Sequence, residues 1–500
     1  MNKIVASIVS LLLSFNAQAE SLTVDQQVDQ MLQPVADLFT SIIFYTITLG
    51  GVDAPLIVIW LIIAAVIFTS YFGFINVRGF SHSCRVIRGD FSDSNDPGET
   101  THFQALATAI SGTVGLGNIA GVAIAVSIGG PGATFWMMLA GFLGMSTKFL
   151  ECTLGVKYRH INAAGEVRGG PMYYLSEGLS QLGHHKSGKV LAYFFAVCCI
   201  VASLCGSNML QANQAYQQFV TVMGNEQGFW ANNGWLFGTI LAVIIGVVII
   251  GGIKSIAKVT EKVVPLMAGI YLSAAIFILI YHYTKIPHAL FLIFDGAFNP
   301  TGVVGGMIGV MLQGFKRSAF SSEAGMGAAS IAHATASTKE PVREGYVALI
   351  EPFIDTVVIC TITALVIVIT GSYQTVEGIS GVTLTSNAFA SVIWWFPYVL
   401  SVCVLLFAIS TMISWAYYGS IAWAFVFGES KALAILYKLI FCSATIIGAS
   451  ASLGAIIAIS DSAFFSMAIA NIIGLYFLAP QVKTDLKKYE STYCVKNNGL

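Results

Sequence analysis

Charged residues are scarce in this sequence of 500 residues: Asp, Glu, Lys and Arg make up only 10%. Soluble proteins carry about 25% charged residues. The formal net charge is −1, so the chain has no basic excess that would favour nucleic acid. Hydrophobic residues make up 56%, and the mean hydropathy is +0.78. The low charge therefore argues against a soluble domain and predicts a polytopic, all-α membrane protein.

Motifs of enzymes and cofactor-binding proteins are also missing. The 9 cysteines form no C-x-x-C pair, so neither a disulfide framework nor a metal site is expected. No H-E-x-x-H or G-x-S-x-G segment occurs, and the 8 histidines lie mostly in loops or at the ends of apolar runs. The segment Gly115-Leu-Gly-Asn-Ile-Ala120 imitates a dinucleotide fingerprint but lies in a transmembrane context. We therefore expect no enzyme, no nucleotide or nucleic-acid partner and no tightly bound cofactor.

Long apolar runs predict about eleven transmembrane helices, at ~20 residues per span. The expected crossings are 54–76, 103–128, 133–156, 190–222, 235–253, 260–283, 302–335 (irregular), 345–371, 395–427, 432–450 and 455–479.

The amino terminus has the pattern of a signal peptide over residues 1–19: Lys3, a short apolar core, and Ala17-Gln-Ala19. An uncleaved short anchor is the alternative. Cleavage would leave the mature amino terminus outside and, after eleven crossings, the carboxyl terminus in the cytoplasm. With that orientation Lys285 is the only Lys or Arg of the mature chain in an outer segment, as the positive-inside rule requires.

The ten crossings after the first divide into five plus five, which predicts an inverted repeat with one extra amino-terminal helix. The expected divisions are 1–19 (signal peptide), 20–100 (external segment, first helix and cytoplasmic loop), 101–283 (first repeat), 284–479 (second repeat) and 480–500 (cytoplasmic tail).

Each repeat is expected to begin with a discontinuous helix. In the first, Ser111-Gly-Thr-Val-Gly-Leu-Gly-Asn118 places polar residues and glycines in the middle of an apolar run. In the second, glycine-rich 302–314 is followed by Lys316-Arg317, which we place in an inner vestibule or at an unwound turn. Paired interruptions of this kind indicate a transport site.

Further polar side chains fall within the crossings. Asn208 and Gln211 share a face of the fourth crossing, and Ser410, Thr411 and Trp415 lie in the ninth. Interhelical hydrogen bonding and back-bonding of hydroxyls to their own helix remain alternatives to ligand binding. The ionisable residues within crossings are interpreted as inner-gate ion pairs or helix-end contacts, with proton coupling as the alternative: Lys148, Glu151, Glu351 and Asp355. Asp461 is placed near an outer gate.

Several segments together resemble the alanine or glycine:cation symporter family. They are Gly112-Thr-Val-Gly-Leu-Gly-Asn-Ile-Ala-Gly-Val122, Gly129-Gly-Pro-Gly-Ala-Thr-Phe-Trp-Met137, Gly169-Gly-Pro-Met-Tyr-Tyr174, Gly206-Ser-Asn-Met-Leu-Gln-Ala-Asn213 and Phe320-Ser-Ser-Glu-Ala-Gly-Met-Gly327. The resemblance covers about residues 50–480. It implies a LeuT-type fold, Na+-coupled uptake of alanine or glycine, and a bacterial inner membrane.

The resemblance also implies site residues. The small neutral amino acid would contact Thr113, the backbone around Gly115 and Gly117, Gln211, Thr411 and Trp415. Asn208 is a further substrate candidate because it shares a face of the fourth crossing with Gln211. Na+, the coupling ion, would be bound near Ile110, Gly112, Ser410 and Thr411. Leu116 departs from the family pattern, since a small or hydroxylated residue is expected between the two glycines. Proton-coupled transport is the alternative, with a passive channel less favoured because no polar pore-lining stripe is visible.

Overall fold

A computed structural model of the chain describes residues 24–49, 51–93, 95–162, 165–223, 228–299, 306–374, 381–450 and 454–493. The expected signal peptide, 1–19, lies outside these residues. Helices dominate the described residues, which confirms the predicted class. Two short hairpins are the exceptions, each made of two antiparallel strands.

The helices, with adjoining π-helical turns included where they are continuous, are α1 (Val24–Ile43), α2 (Leu56–Tyr71), α3 (Ile75–Arg78), α4 (Phe80–Arg88), α5 (His102–Thr113), α6 (Val122–Gly129), α7 (Ala133–Lys157), α8 (His185–Val222), α9 (Gly234–Ile250), α10 (Gly252–Tyr281), α11 (Ile286–Phe298), α12 (Gly306–Ser322), α13 (Ala329–His333), α14 (Pro341–Thr370), α15 (Val382–Ala390), α16 (Phe396–Phe427), α17 (Lys431–Ser450) and α18 (Gly454–Tyr493). The strands are β1 (Thr46–Leu49), β2 (Val52–Pro55), β3 (His160–Ile161) and β4 (Val167–Arg168). Short helical turns lie at Pro171–Tyr173, Tyr174–Gly178, Leu179–Gln181, Phe229–Asn232, Tyr283–Lys285 and Ser372–Gln374.

The predicted crossings coincide with helices. Among the described residues, 6 single helices are long and apolar enough to span a bilayer, and the bent pair α5–α6 brings the number to 7. The shorter apolar helices α2 and α9 coincide with two further predicted crossings. The chain is therefore a multi-pass membrane protein, while the total of eleven and the five-plus-five repeat stay predictions. Helices α11 and α15 were not expected and lie in predicted outer loops.

The first predicted break is present. Helix α5 ends at Thr113, and the chain turns by 53° before it continues through a π-helical turn at Gly117–Gly121 into α6. A continuous helix would direct the Gly115 amide to the carbonyl of Ser111. The amide instead donates to Asn118 Oδ1 at 2.9 Å, so the carbonyl is free for another partner.

The second break lies six residues later than predicted. Helix α12 continues through Lys316 and Arg317 to Ser322, and residues 300–305 lie outside the described part of the chain. The chain leaves the helix at Glu323, where φ is 52°, and Gly325 and Gly327 also have positive φ values of 94° and 84°. Glycine tolerates this left-handed backbone, so the break follows the Glu-Ala-Gly-Met-Gly run rather than the two cations.

The unwound turn expected at Lys316 and Arg317 is therefore wrong, and the contacts of both residues favour the predicted outer side over an inner location. The Lys316 ammonium lies 5.0 Å from the ring centre of Phe44, a residue of the predicted external segment. Asp461, which the sequence placed near an outer gate, interacts electrostatically with both cations. The Phe44 ring and the Asp461 carboxylate therefore stabilise both cations within a continuous helix.

Helix α18 extends past its apolar part and docks against α3, α4 and α14 at the predicted inner face. Tyr489 OH lies 2.9 Å from His82 Nε2, and Glu490 pairs with Arg78 at 3.2 Å. Burial, with help from Arg85 and Arg343, lowers the pKa of His82 to about 4, so this histidine is neutral at neutral pH. The predicted tail at 480–500 is therefore helical and packed as far as Tyr493.

Candidate functional site

The carbonyls released by the first break are bonded by α16. Thr411 Oγ1 donates to Ser111 O at 3.0 Å, and Trp415 Nε1 donates to Gly112 O at 3.3 Å. Thr411 and Trp415 are one helical turn apart and are both buried. The structure thus brings together the broken helix and the two α16 residues that the sequence predicted for the site.

Serine hydroxyls extend this contact along α5. Ser414 Oγ donates to Thr108 O and to Ser111 Oγ, both at 3.0 Å, and Ser111 Oγ donates to Ser410 O at 2.6 Å. The Ser410 hydroxyl itself bonds back to Phe407 O at 2.9 Å. Of the predicted sodium residues, Ser410 therefore offers its carbonyl rather than its hydroxyl, and Ser414 adds a hydroxyl beside that of Thr411.

The remaining two predicted sodium residues differ from each other. The Ile110 carbonyl accepts the Val114 amide at 2.7 Å, which is an ordinary helical bond. The Gly112 carbonyl accepts Trp415 Nε1 and has left that pattern. A small group of hydroxyl and carbonyl oxygens of this kind matches the ligand preference of a hard cation.

The predicted substrate residues on the broken helix lie at the break. The Thr113 hydroxyl bonds back to Ala109 O and Ile110 O, each at 3.3 Å. A Cβ on Gly115 would lie 3.0 Å from Thr411 Oγ1, and one on Gly117 would lie 3.6 Å from Ser321 Cα. Gly115 therefore permits the close approach of α16 to the break.

The two predicted amides on α8 have different surroundings. Asn208 Nδ2 donates to Phe441 O at 2.7 Å, and its Oδ1 accepts from Thr445 at 2.8 Å, so this side chain joins α8 to α17. These contacts favour the interhelical alternative for Asn208. Gln211 Oε1 is buried without a hydrogen-bond partner, so its acceptor is available to a ligand.

Asp355 forms a contact that the sequence analysis did not predict. Its carboxylate accepts from Asn118 Nδ2 at 2.6 Å, from Ser321 Oγ at 2.8 Å and from Thr356 Oγ1 at 2.6 Å. Asn118 belongs to the first break and Ser321 to the last turn before the second, so one carboxylate on α14 joins both. Asp355 and Asn118 each lie in a π-helical turn, a feature frequent at functional sites.

The other ionisable residues predicted for a gate form a buried network. Lys148 Nζ and Glu351 Oε1 are 2.8 Å apart, and both side chains are 0% exposed. Glu151 accepts from Asn471 Nδ2 at 2.6 Å, and Asn471 Oδ1 accepts from Tyr174 at 2.5 Å. The network ties α7 to α14 and α18; its gating role stays a prediction.

The network continues to Glu344 and to two histidines, His333 and His102, a residue type that the sequence analysis placed mostly in loops or at the ends of apolar runs. Glu344 accepts from His333 and His102, and His333 Nε2 lies 3.7 Å from Glu351 Oε2. One signal was available: Glu344, Glu351 and Asp355 follow an i, i+7, i+11 pattern, which places them on one face of α14. The histidine partners are far apart in sequence, and no local pattern identifies them.

A polar cavity lies beside the second half of α16, from Ala416 onwards. Its lining includes Glu99, Arg168, Lys254, Ala416 and Tyr417. Ala416 directly follows Trp415 in sequence, and this cavity is here called the α16 cavity. Its basic and acidic lining comes from segments that the sequence places at the cytoplasmic face.

Comparisons with known proteins agree with this architecture. The solved structure of MhsT in complex with L-phenylalanine matches with a TM-score of 0.55 at 17% identity, over 76% of this chain and 89% of that one. A likeness at this identity shows the fold alone, and it confirms the LeuT-type fold.

Sequence relatives are closer. The sodium/alanine symporter AgcS of Methanococcus maripaludis is 36% identical over 438 residues, 87% of this chain and 94% of AgcS. The probable sodium/glutamine symporter GlnT of Bacillus subtilis is 33% identical over 438 residues, 87% of this chain and 88% of GlnT. A model of the sodium:alanine symporter family matches residues 38–498. With its broken helix, its α16 contacts and these matches, the chain belongs to the sodium:alanine symporter family.

Proposed function

We propose that this protein imports small neutral amino acids, alanine and glycine, together with Na+ by alternating access. It would act in a bacterial inner membrane, with the amino terminus outside and the carboxyl terminus in the cytoplasm. The main support is a pair of backbone carbonyls at the break, Ser111 O and Gly112 O, which accept hydrogen bonds from α16. Helix α5 presents carbonyls here, and the π-helical turn that leads into α6 begins here at Gly117, so the two ends of a zwitterion find partners of opposite polarity.

The walls of the site favour a small substrate. Trp415 is buried, and its ring lies 4.9 Å from Phe464 and 5.2 Å from Tyr418 between ring centres. Such a packed aromatic wall beside Gly112 leaves little room for a long side chain. The name of AgcS supports alanine, whereas the name of GlnT specifies glutamine, so glutamine belongs among the competitors in any uptake assay.

The serine contacts support a sodium site between α5 and α16. Ser414 Oγ donates to Ser111 Oγ at 3.0 Å, and Ser111 Oγ donates to the Ser410 carbonyl at 2.6 Å, so three oxygens form a chain between the two helices. A cation held by both helices would fix the break in the form that contacts Thr411 and Trp415. Sodium would then raise the affinity for the amino acid, and the amino acid would raise the affinity for sodium by the same factor.

Uptake into proteoliposomes tests the proposal. Alanine accumulation is expected to follow an imposed inward Na+ gradient and to be saturable, with glycine competing. An equal K+ gradient is the control. Accumulation that is indifferent to Na+ contradicts the coupling.

Proton coupling is the second candidate, and Asp355 favours it. A buried carboxylate that contacts the first break through Asn118 is suited to carry a proton through the cycle. A pH step without Na+ separates the two cases, because proton coupling predicts alanine uptake under that condition and sodium coupling predicts none.

A further inference from the structure

The α16 cavity carries more positive than negative charge. Its volume is about 610 Å³, which falls within the range of roughly 300–1,000 Å³ that ligand pockets have. Its lining contains basic and acidic side chains: Arg168, Lys254, Lys431, Lys438, Glu99, Glu166 and Glu429. With four cations and three carboxylates, the formal charge of the lining is +1.

The acidic side chains of the lining already have partners. Glu99 Oε1 accepts the Val167 amide at 2.6 Å. A carboxylate oxygen of Glu166 lies 3.3 Å from the Arg168 guanidinium, and one of Glu429 lies 3.8 Å from it. One cation therefore serves two carboxylates, and the third carboxylate is bonded to the backbone.

The three lysines of the lining lack such partners. Among the described residues, none of Lys254, Lys431 and Lys438 forms an ion pair with a carboxylate. Lys438 Nζ donates to the Ile250 carbonyl at 3.3 Å, while Lys254 and Lys431 are exposed. Ammonium groups around one cavity repel one another, and an anion between them would relieve that repulsion.

Two helices begin at this cavity. Helix α10 starts at Gly252 and α17 at Lys431, and both residues line it. The N-terminus of a helix carries a partial positive charge and presents unbonded amides that favour an anion. Within the described residues no side chain caps α10, and Ser430 Oγ caps α17 by accepting the Leu433 amide at 3.2 Å. The other first-turn amides remain available to a ligand.

Two buried donors in the wall of the cavity are unused. Among the described residues, Trp423 Nε1 and Arg168 Nε have no hydrogen-bond partner. The Glu429 oxygen lies 3.8 Å from Arg168 Nε, which is beyond hydrogen-bond range. Buried donors in proteins are normally bonded. An acceptor oxygen in the cavity would satisfy them, so this observation also indicates an oxygen-rich anion.

Lipid-facing residues flank the cavity. Ile250 lines it at the end of α9 and is 73% exposed, and Ile435 and Leu439 on α17 are 58% and 61% exposed. The sequence places the first turns of α10 and α17 at the cytoplasmic face. Basic pockets between transmembrane helices on that side bind the headgroups of anionic lipids. The exposed apolar side chains are suited to contact the acyl chains of such a lipid.

We propose that the α16 cavity binds a phosphate group through Lys254, Lys431 and the first-turn amides of α10 and α17. A phosphodiester carries one negative charge, which balances the formal charge of the lining. The lipid-facing side chains favour the headgroup of an acidic phospholipid as the source of the phosphate over a soluble phosphate compound. The site is separate from the residues proposed for the amino acid and Na+, so it does not depend on the proposed function.

Thermal unfolding of the delipidated full-length protein in detergent tests the site, because a ligand of the folded form raises the unfolding temperature. Dihexanoyl phosphatidylglycerol is expected to raise it. Dihexanoyl phosphatidylcholine, whose choline cation offsets the phosphate charge, is expected to need at least a tenfold higher concentration for the same shift. No shift with phosphatidylglycerol, inorganic phosphate or glycerol 3-phosphate overturns the proposal.

The soluble phosphates form the second arm of this experiment. A shift with phosphatidylglycerol and none with inorganic phosphate or glycerol 3-phosphate supports the site with a lipid as the source. A shift with the soluble compounds alone supports the phosphate site and assigns its ligand to the cytosol. Equal shifts with phosphatidylglycerol and phosphatidylcholine, and none with the soluble compounds, contradict recognition of a phosphate.

A pair of matched variants separates the cavity from general surface charge. Lys254→Gln/Lys431→Gln is expected to weaken binding of phosphatidylglycerol, or of inorganic phosphate in the soluble arm, at least tenfold. Lys186→Gln/Lys258→Gln is the control, because both lysines are exposed and lie outside the lining, with Lys258 one turn after Lys254 on α10. Equal binding by the two variants would show attraction to surface charge alone and overturn the proposal.

Protection of lysines in the unsubstituted protein gives a measurement that needs no variant. Phosphatidylglycerol, or inorganic phosphate in the soluble arm, is expected to slow the acylation of Lys254 and Lys431 by a water-soluble succinimidyl ester at least threefold. Acylation of Lys258 should stay within about twofold. Peptide mass spectrometry measures the rates, and equal protection of Lys254 and Lys258 contradicts a site in the cavity.

Discussion

At the scale of single residues, the hydrogen bonds of α16 converge on two backbone carbonyls, Ser111 O and Gly112 O. Thr411 and Trp415 supply the donors, and Ser414 adds a hydroxyl that donates to Ser111 Oγ. These contacts are specific to the break, because a continuous α5 would use both carbonyls in its own helix. Substitutions here should therefore affect transport more than folding.

Thr411→Ala removes the donor to Ser111 O and leaves that buried carbonyl unpaired. An unsatisfied buried group costs about 1–3 kcal/mol, so we expect the KM for alanine or Na+ to rise roughly tenfold, 1.4 kcal/mol per decade. The measurement is uptake kinetics at varied alanine and Na+. Ser420→Ala is the control on the same helix, since the Ser420 hydroxyl bonds back to Tyr417 O at 2.7 Å. Unchanged kinetics in Thr411→Ala would remove this residue from the site.

Lys148→Met removes the ammonium that pairs with buried Glu351 at 2.8 Å and leaves only His333 Nε2, at 3.7 Å, beside that carboxylate. Both side chains are 0% exposed, and breaking such a pair costs about 3–5 kcal/mol. The purified variant should unfold at a clearly lower temperature in detergent. Lys186→Met, at an exposed position, should not. Lys148→Met/Glu351→Gln should recover part of the loss; a double variant no better than the single one would contradict the pairing.

The sequence predicted the chemistry of single residues better than their partners. Thr411 and Trp415 lie where periodicity and the family resemblance placed them, because both signals come from one helix. The pairing of Asp355 with Asn118, and of Glu344 with His102 and His333, spans more than 200 residues in two of the three contacts. No local pattern encodes contacts of that separation, which depend on how distant helices pack.

At the scale of elements, the first break was predictable and the second was misplaced. The first combines glycines with Ser111, Thr113 and Asn118, a cluster that a bilayer-spanning helix does not otherwise carry. In the second, the adjacent charges of Lys316 and Arg317 suggested the interruption. Packing against Phe44 and the nearby charge of Asp461 overrode that signal, and the glycines with positive φ at 325 and 327 mark the actual break.

Gly115 and Gly121 form a matched pair for testing the first break. A Cβ on Gly115 would lie 3.0 Å from Thr411 Oγ1, whereas one on Gly121 would meet nothing within 4 Å. Gly115→Ala should push α16 away from the break and lower alanine uptake at least tenfold with normal folding. Gly121→Ala should keep uptake within about twofold. Equal effects of the two would show that the close approach at Gly115 is not needed.

At the scale of the whole molecule, apolar length predicted where the helices lie along the chain. Each predicted crossing coincides with a helix or a broken pair because a bilayer imposes its thickness on every span. The helices in the predicted outer loops, α11 and α15, were not predicted, since loop segments are free of that constraint. The orientation itself rests on charge and stays a prediction.

Labelling of cysteines tests that orientation. Cys84 is exposed on α4, in a predicted inner segment. Trp394 is 79% exposed in a predicted outer loop. In intact cells, a membrane-impermeant maleimide should label a Trp394→Cys variant carrying Cys84→Ser. The maleimide should reach native Cys84 only after permeabilisation. Labelling of Cys84 in intact cells would show that the orientation is opposite to the predicted one.

Alanine uptake under an imposed Na+ gradient, in proteoliposomes of the purified protein, tests the central claim most directly. The account predicts concentrative, saturable uptake that disappears when K+ replaces Na+ and falls strongly in Thr411→Ala. Uptake that persists without Na+ and follows a pH step would contradict sodium coupling, and no concentrative uptake under either gradient would contradict symport itself.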